Sequence, residues 1–389
     1  MFLQEGSPHV SIGILAHNEG GKIERTLNSL FAQSLFAYCS EMGWTVEILC
    51  IVNGSIDTTA AITSRIFAQA SSAHPDRAQF STRVIIIPES GKMNAWNRFV
   101  HEFSSLKART LVLMDADIEF LQETALEYLC SELEGNMEAN AATGKPVKSI
   151  AEKEHPSIRE RISLRISRMN QGDPSQLTGQ LYCIRAVTAR RIRMPLDLTS
   201  CDDGLIKALV CTDFGLAASN PGRIAQLSNV SHSFDAYVTA SEVLRNQKRQ
   251  MMAQSFLHLL LDNFLPNLSA SERTNWSGVI ERLEREDPNW LRVMMADHLK
   301  RNPRFWNLFP DVLTFRYKRL KRLPFLKKLR YLPTAFIGFC VTLLASWMAA
   351  RALRKGITYY WPEKENFSPA SFVDPAPAAC NRPAKSKSL

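Results

Sequence analysis

Short apolar runs alternate with amphipathic segments along the first 140 residues. The apolar runs cover residues 10–16, 46–52, 84–87 and 111–114. After the first run, residues 22–33 place apolar side chains on one face of a helix, and similar segments follow the other three runs. Short, fully apolar strands between helices are typical of a sheet that is buried on both faces. The pattern therefore predicts an α/β fold with a Rossmann-like, mostly parallel sheet and helices on both faces.

Two aspartates, Asp115 and Asp117, directly follow the fourth apolar run. Because side chains in a strand repeat every two residues, carboxylates at i and i+2 leave the strand end on the same side and can share one cation. Mg²⁺ and Mn²⁺ prefer oxygen ligands and usually take one or two carboxylates together with substrate phosphates. The pair predicts a divalent-metal site, and the alternative is a loop with two solvated acids.

Polar residues also follow the other three predicted strands, namely Glu19, Asn53, Asp57 and Lys92. Ligands of parallel α/β sheets bind beyond the carboxyl ends of the strands. We therefore expect these side chains and the aspartate pair to meet on one rim. Each also has a simpler interpretation, with Asp57 as a helix N-cap, Asn53 in a turn with Gly54, and Lys92 as a surface cation.

A glycine and a pair of acids stand out in the less regular middle of the chain. Gly179 precedes a short predicted strand that ends at Arg185. Asp202 and Asp203 precede an apolar run at residues 205–210, which predicts a helix with both acids at its N-terminus. There the acids either cap the helix and complement its dipole or belong to a site.

Two further predicted helices are basic. Residues 157–170 form a basic amphipathic pattern, and residues 239–261 predict a helix that carries Arg245 and Arg249. Between them, His232 follows another predicted strand, and a lone histidine in that position also fits a purely structural role.

These motifs together resemble the family 2 glycosyltransferases of the GT-A fold, over about residues 9–250. In chain order they are H-N-E at 17–19, N-G-S-x-D-x-T at 53–59, G-K-x-x-A-x-N at 91–97, D-A-D at 115–117, G-x-x-x-x-x-R at 179–185 and D-D at 202–203. The resemblance implies transfer of a sugar from a nucleotide-diphosphate sugar to an acceptor. It also implies inversion at the anomeric carbon and a divalent metal, Mn²⁺ or Mg²⁺.

The resemblance also implies roles around the leaving diphosphate. Asp117 would hold the metal, and Asp115 would contact the ribose or the metal through water. Lys92 would counter the charge that grows as the glycosidic bond breaks. Asp203 would be the general base for the acceptor hydroxyl. His232 matches the position of a third metal ligand in some GT-A enzymes.

Further contacts to the donor follow from the same resemblance. Glu19 and Asp57 would contact the base and the ribose, and Asn53 belongs to the same donor motif. Arg249, with Arg245, resembles a late basic motif that holds the pyrophosphate. Val52 stands where many members have an aspartate that contacts the base; uridine is the expected base and guanosine the alternative.

On the acceptor side, the resemblance places Gly179, Arg185 and Asp202, and Gly179 would keep that side open. Gln250 follows Arg249 where processive polysaccharide synthases have tryptophan, which favours single additions.

The C-terminal third contains a candidate membrane helix. Residues 331–350 are uncharged and long enough to cross a hydrocarbon core of about 30 Å. Residues 316–330, the basic collar, hold eight Lys or Arg and no acid, which predicts a membrane-bound protein with a cytoplasmic catalytic domain. A helix that lies in the interface and a buried helix of a soluble protein are the alternatives.

The predicted organisation has four parts. Residues 1–250 form the catalytic domain, 251–330 a helical extension with the basic collar, 331–353 a transmembrane or membrane-embedded helix, and 354–389 a disordered tail. A lipid-linked or envelope-glycan acceptor is expected because of the membrane segment.

Charge and cysteine content narrow the classes of partner. The net charge of +9 is concentrated in the basic collar, so no nucleic-acid partner is predicted. The eight cysteines contain no C-x-x-C pair, which indicates packed thiols in a reducing compartment and not a disulfide framework or zinc site.

Two functional alternatives stay open: a sugar-phosphate nucleotidyltransferase and a non-catalytic nucleotide-binding protein.

Overall fold

The computed structural model describes residues 8–73, 80–152, 176–198, 200–237, 239–302, 308–309 and 325–356, with isolated positions between 155 and 164. The predicted helix at 157–170, most of the basic collar and all of the predicted tail beyond residue 356 lie outside the described residues.

Eight strands form one sheet in the order β3-β2-β1-β4-β7-β6-β8-β5. They are β1 (Pro8–Ala16), β2 (Thr45–Asn53), β3 (Phe80–Ile87), β4 (Thr110–Asp115), β5 (Ile118–Phe120), β6 (Ala141–Lys148), β7 (Leu181–Arg185) and β8 (Ile224–Phe234). Strands β3, β2, β1 and β4 are parallel, as the alternating pattern predicts. The second half is mixed, because β7 runs antiparallel to both β4 and β6 and β5 runs antiparallel to β8.

Twelve α-helices surround the sheet in the part of the chain that the structure describes. They are α1 (Ile23–Phe31), α2 (Leu35–Glu41), α3 (Thr59–Ala73), α4 (Lys92–Arg98), α5 (Ala125–Gly135), α6 (Ala186–Arg191), α7 (Asp202–Cys211), α8 (Ala240–His258), α9 (Ala270–Thr274), α10 (Trp276–Glu286), α11 (Trp290–Arg301) and α12 (Phe325–Arg354). Shorter turns of π-helix (Phe99–Phe103, Leu259–Phe264) and 3₁₀-helix (Ser149–Glu152, Pro221–Arg223, Leu265–Asn267) join them.

The sheet is buried on both faces, which explains its apolar strands. In β4, Leu111 and Leu113 pack on one face, in a core that includes residues of α4, α7, α8 and α12. Val112 and Met114 pack on the other face with α1, α2, α3 and α5. The alternation follows from the two-residue period of a strand.

The C-terminal part belongs to the same body as the sheet. Helix α8 begins before the predicted domain boundary at residue 250 and continues beyond it, so that boundary does not separate two elements. Helix α12 packs against α8 and contributes Ala345 and Ala349 to the core. Among the described residues, only α12 has the length and apolar composition that a membrane-crossing helix needs.

Candidate active site

The loops after β1 and β2 are tied together by buried polar contacts. Asn53 is fully buried, its side-chain amide donates to the Gly91 carbonyl at 2.8 Å, and its own carbonyl accepts from His17 Nδ1 at 2.7 Å. Gly54 has a φ of +57°, and a Cβ there would lie 2.8 Å from Ser90 Cα. The N-G turn thus requires glycine, and Asn53 holds three strand ends in place.

Asp57 joins the same two loops. Its carboxylate accepts from the Gly20 amide at 2.8 Å and from the Thr59 amide at 3.0 Å, at the start of α3. The Glu19 amide donates to Thr59 Oγ1 at 2.9 Å, and the Glu19 side chain is buried. The capping interpretation of Asp57 therefore matches its contacts, and the Asp57 carboxylate helps to fix the shape of the rim.

Lys92 lies at the centre of the site, where the first half of the sheet meets β7. Its ammonium is 2.9 Å from Asp115 Oδ1 and 3.4 Å from Asp202 Oδ2, and it donates to the Gly179 carbonyl at 3.0 Å. Burial alone would lower the pKa of Lys92, but the surrounding carboxylates outweigh burial and raise its pKa above the ordinary value. Lys92 is thus a permanent cation between the two acidic motifs.

Two carboxyl groups of the site hold protons more tightly than usual. Burial raises the pKa of Asp115 to about 7, against the attraction of Lys92 and with the help of the Asp117 charge. Burial and the neighbouring Asp202 raise the pKa of Asp203 to about 6. Both groups therefore change charge near neutral pH, which suits acid–base and metal chemistry.

These two shifts predict how stability depends on pH in metal-free protein. Because both pKa values are raised above the ordinary 3.8, the native state binds protons more tightly than the unfolded chain. Their contribution to stability is complete below about pH 4 and is lost as the pH rises to about 7. We expect the unfolding midpoint of Asp115→Asn to fall less over this window than that of the wild type, measured in chelator. Asp297→Asn, on the exposed surface of α11, is the control, and equal slopes for Asp115→Asn and the wild type would contradict the assignment.

Gly179 brings the acid pair close to Lys92. A Cβ at this position would lie 3.3 Å from Asp202 Oδ2 and 3.4 Å from Asp203 Cβ, tighter than ordinary contact. Asp202 is buried, whereas Asp203 is partly accessible at the start of α7 and accepts from the Gly204 amide at 2.8 Å. Of the two acids, Asp203 is therefore the one that a substrate can reach.

Asp117 lies beside a second cation, Lys22. The Lys22 ammonium is 3.8 Å from Asp117 Oδ2 and 2.5 Å from Asp235 Oδ2. Burial alone would raise the pKa of Asp235, but Lys22 and Arg25 lower it below the ordinary value. Neither Lys22 nor Asp235 is predicted from the sequence, although an acid directly after the β8 strand is the kind of signal that identifies Asp115.

The residues around Asp117 fit a divalent metal that also binds substrate phosphates. His232 is fully buried in β8, and its Nδ1 has no hydrogen-bond partner among the described residues. Burial lowers its pKa to about 4, against the opposing effect of Asp117, so the imidazole is neutral, as a metal ligand must be. Within the described residues no three His, Cys, Asp or Glu side chains form a ready metal cluster. Asp115, Asp117 and His232 would complete their site with the diphosphate.

Residues 11–193, from β1 to just beyond α6, match the model of glycosyl transferase family 2. This part of the chain is a family 2 glycosyltransferase domain. The mixed sheet with helices on both faces is accordingly the GT-A fold, and the family resemblance is confirmed over the five motifs between residues 17 and 185. None of the curated proteins that were compared with the chain matches it.

Solved structures of other glycosyltransferases are similar to this one at low identity. TarS 1–349 of S. aureus has 14% identity and a TM-score of 0.43, with 90% of this chain and 92% of that chain covered. Glucosyl-3-phosphoglycerate synthase from Mycobacterium tuberculosis, in complex with Mg²⁺ and UDP, has 15% identity and a TM-score of 0.43, with 66% and 80% covered. At this distance they support no statement about the donor, acceptor or metal of this glycosyltransferase.

One predicted site residue of the glycosyltransferase, Arg185, lies at the opposite end of the strands from the aspartates. Because β7 runs antiparallel to β4, Arg185 pairs with Thr110 at the start of β4, not with the aspartates at its end. Its guanidinium donates to the carbonyls of Leu133, Asn136 and Ala139 around the end of α5. The structure therefore places Arg185 away from the aspartates, where its guanidinium closes that helix end.

The late basic motif lies on α8, next to the acid pair. Arg249 donates to Asn246 Oδ1 at 3.0 Å, and its charge reaches Cys201, the residue just before Asp202. Arg245 is more exposed on the same helix. The structure therefore brings Arg249 towards the site and leaves Arg245 at its margin.

Sequence reasoning missed a tyrosine next to the acids. Tyr182 is buried in β7, and its hydroxyl accepts from Trp96 Nε1 at 2.7 Å. Burial, with the charges of Asp202 and Asp115, raises the pKa of Tyr182 well above its ordinary value, so it stays protonated. An aromatic residue in an apolar strand looks like core, and no local pattern identifies this one.

Proposed function

We propose that this glycosyltransferase moves a sugar from a UDP-sugar, with inversion, to a lipid-linked or envelope-glycan acceptor at the cytoplasmic face of a membrane. The observation that carries the proposal is the Lys92 ammonium between Asp115, on the donor side, and Asp202, on the acceptor side. One buried cation thereby holds the proposed diphosphate-binding carboxylate close to Asp202, the neighbour of the proposed base.

Asp203 is proposed as the general base. An inverting transfer needs a base on the face of the sugar opposite the leaving group. Asp202 is buried and ion-paired with Lys92, whereas Asp203 is partly accessible. With a pKa of about 6, Asp203 is ionised at neutral pH and is a stronger base than an ordinary carboxylate. The acceptor hydroxyl would deliver its proton to Asp203 as the new glycosidic bond forms.

The leaving diphosphate is proposed to lie against Asp115, Asp117 and Lys92. A bound Mn²⁺ or Mg²⁺ would neutralise the charge that grows on this leaving group, held by Asp115, Asp117 and His232. Lys92 supplies positive charge from the side of the base, and Arg249 from α8. Lys22 approaches Asp117 from the other side and keeps that carboxylate positioned before the donor binds.

The donor is tested by the stability that it adds. We expect UDP, and not GDP, CDP or TDP, to raise the unfolding midpoint of the detergent-solubilised protein, and only with Mn²⁺ present. A ligand at about 100 times its dissociation constant adds about 2.7 kcal/mol of stability, which a thermal-shift assay detects. Asp117→Asn is expected to abolish the metal-dependent shift.

Asp297→Asn, an exposed change far from the rim, is the matched control and keeps the shift. A thermal shift with GDP alone would show that the base of the donor nucleotide is guanine and not uracil. No shift with any of the four nucleotides, in protein shown to be folded, would contradict donor binding at this site.

A further inference from the structure

Helix α12 has two faces of different character. Small residues on one face are buried against the protein, among them Ala345, Ser346 and Ala349. Large apolar residues on the other face are exposed, and we call them the apolar stripe: Leu332, Phe336, Ile337, Leu344 and Trp347, with Cys340 among them. Phe336 is 67% exposed and Trp347 54% exposed. A buried helix of a soluble protein has its large side chains inside, so the stripe requires another partner.

The stripe is continuous along the helix. Members at positions 332, 336, 340, 344 and 347 are three or four residues apart, and Ile337 adjoins Phe336, which places the stripe on one side of an α-helix. Fifteen residues correspond to about 22 Å at 1.5 Å per residue. The exposed apolar surface is therefore a continuous band along one side of α12, as in a helix that lies on a membrane surface.

Basic residues surround the stripe. Arg351, Arg354 and Lys355 are exposed at its C-terminal end, and the Arg351 guanidinium lies 5.7 Å from the centre of the Trp347 ring. At the other end, the sequence of residues 316–330 holds eight Lys or Arg, and residues 312–362 contain no acid at all. An apolar band with tryptophan, bounded by cations and without acids, matches an anionic lipid surface.

A crossing orientation does not agree with the packing of α12. The helix lies along α8, whose sequence includes Asn246, Gln247 and Lys248 next to Arg249. Polar and charged side chains of that kind do not enter the hydrocarbon region without a large cost. A helix that is packed on one side against the catalytic body can expose only its other side to lipid.

We propose that α12 lies in the plane of an anionic bilayer, with the apolar stripe towards the lipid and its small-residue face still packed on α8. The proposal deepens the membrane part of the proposed function and is independent of the donor. It places the bilayer one helix away from Arg249 and the acid pair, within reach of an acceptor that is anchored in lipid.

Flotation of the full chain with preformed vesicles tests the proposal. The wild type is expected to float with phosphatidylcholine vesicles that contain phosphatidylglycerol, and to bind pure phosphatidylcholine at least tenfold more weakly. Phe336→Glu and Trp347→Glu are each expected to weaken binding at least tenfold. Met137→Glu is the matched control, because Met137 is 83% exposed and lies outside α12. UDP-dependent stabilisation, measured beside flotation, is expected to be unchanged in all three variants.

Labelling of Cys340 provides a second readout. A water-soluble maleimide is expected to modify Cys340 in the free protein and at least tenfold more slowly in vesicle-bound protein, as read by peptide mass spectrometry. Three results would overturn the proposal: flotation of Phe336→Glu and Trp347→Glu like the wild type, retention of the wild type in cell membranes after an alkaline wash, or a dimer that breaks in these variants without vesicle binding. Loss of UDP stabilisation with flotation intact would contradict the proposed donor and leave this inference standing.

Discussion

An enzyme with asparagine in place of Asp203 is expected to bind its donor normally and to transfer sugar about 10²- to 10⁴-fold more slowly, the usual contribution of a general base. Asparagine keeps the shape of the side chain and can still accept from the Gly204 amide. It cannot take a proton from the acceptor hydroxyl. The measurement is transfer of radiolabelled sugar into the lipid extract of membranes, beside the thermal shift with UDP and Mn²⁺.

The control for this variant is Asp262→Asn, whose carboxylate is 66% exposed on the surface. That change is expected to leave transfer within a factor of two. If Asp203→Asn retained more than a tenth of the wild-type rate, the base would have to be another group. Asp202→Asn would then be the next variant, although its carboxylate is already ion-paired with Lys92.

Lys92→Met is expected to have the largest effect on both stability and pH dependence. It leaves Asp115 and Asp202 without the cation that contacts both, and removing one partner of a buried ion pair costs about 3–5 kcal/mol. The loss is expected as a lower denaturation midpoint in urea at pH 7. At lower pH, protonation of Asp115 and Asp202 removes their unpaired charge, so the loss of stability in Lys92→Met is smaller.

Lys92→Met is also expected to shift the acid limb of the pH profile of kcat/KM to higher pH. We expect the wild-type limb near pH 6, because Asp203 must be ionised to act as a base and its pKa is raised to about 6. Lys92 lowers the pKa of Asp115 and of Asp203, so its removal raises both. Lys300→Met, on an exposed lysine, is expected to change neither stability nor the limb. An unshifted limb in Lys92→Met would show that the lysine charge does not reach the base.

The sequence predicts the donor half of the fold well, because its strands are buried on both faces. Four uninterrupted apolar runs, each followed by a polar turn and a helix, allow little besides parallel strands with their carboxyl ends on one rim. The positions of Asp115, Asp117 and Lys92 follow from that rule alone. Their contacts do not, since the distance from Lys92 to Asp202 depends on how residues far apart in sequence pack.

The sequence does not predict the second half of the sheet, because it does not indicate the direction of β7. A five-residue apolar strand has the same pattern whether it runs with or against its neighbour, and only the direction decides which end meets the aspartates. Gly179 precedes β7 and therefore lies near the aspartates at the end of β4. Arg185 is the last residue of β7 and therefore lies near the start of β4. Likewise, hydropathy identifies α12 as apolar but does not distinguish its packed alanines from its exposed aromatic residues.

The antiparallel pairing of β4 with β7 also has a consequence for how this enzyme changes over evolutionary time. Residues 8–115 carry Lys92 and Asp115, residues 176–211 carry Gly179 and the acid pair, and the two parts meet along this strand pair and through contacts such as those of Lys92 and Trp96. Insertions or replacements between β6 and β7 leave the register of the first four strands untouched. We therefore expect sequence changes between Lys148 and Gly179 to alter the proposed acceptor side and to leave the proposed nucleotide site unchanged.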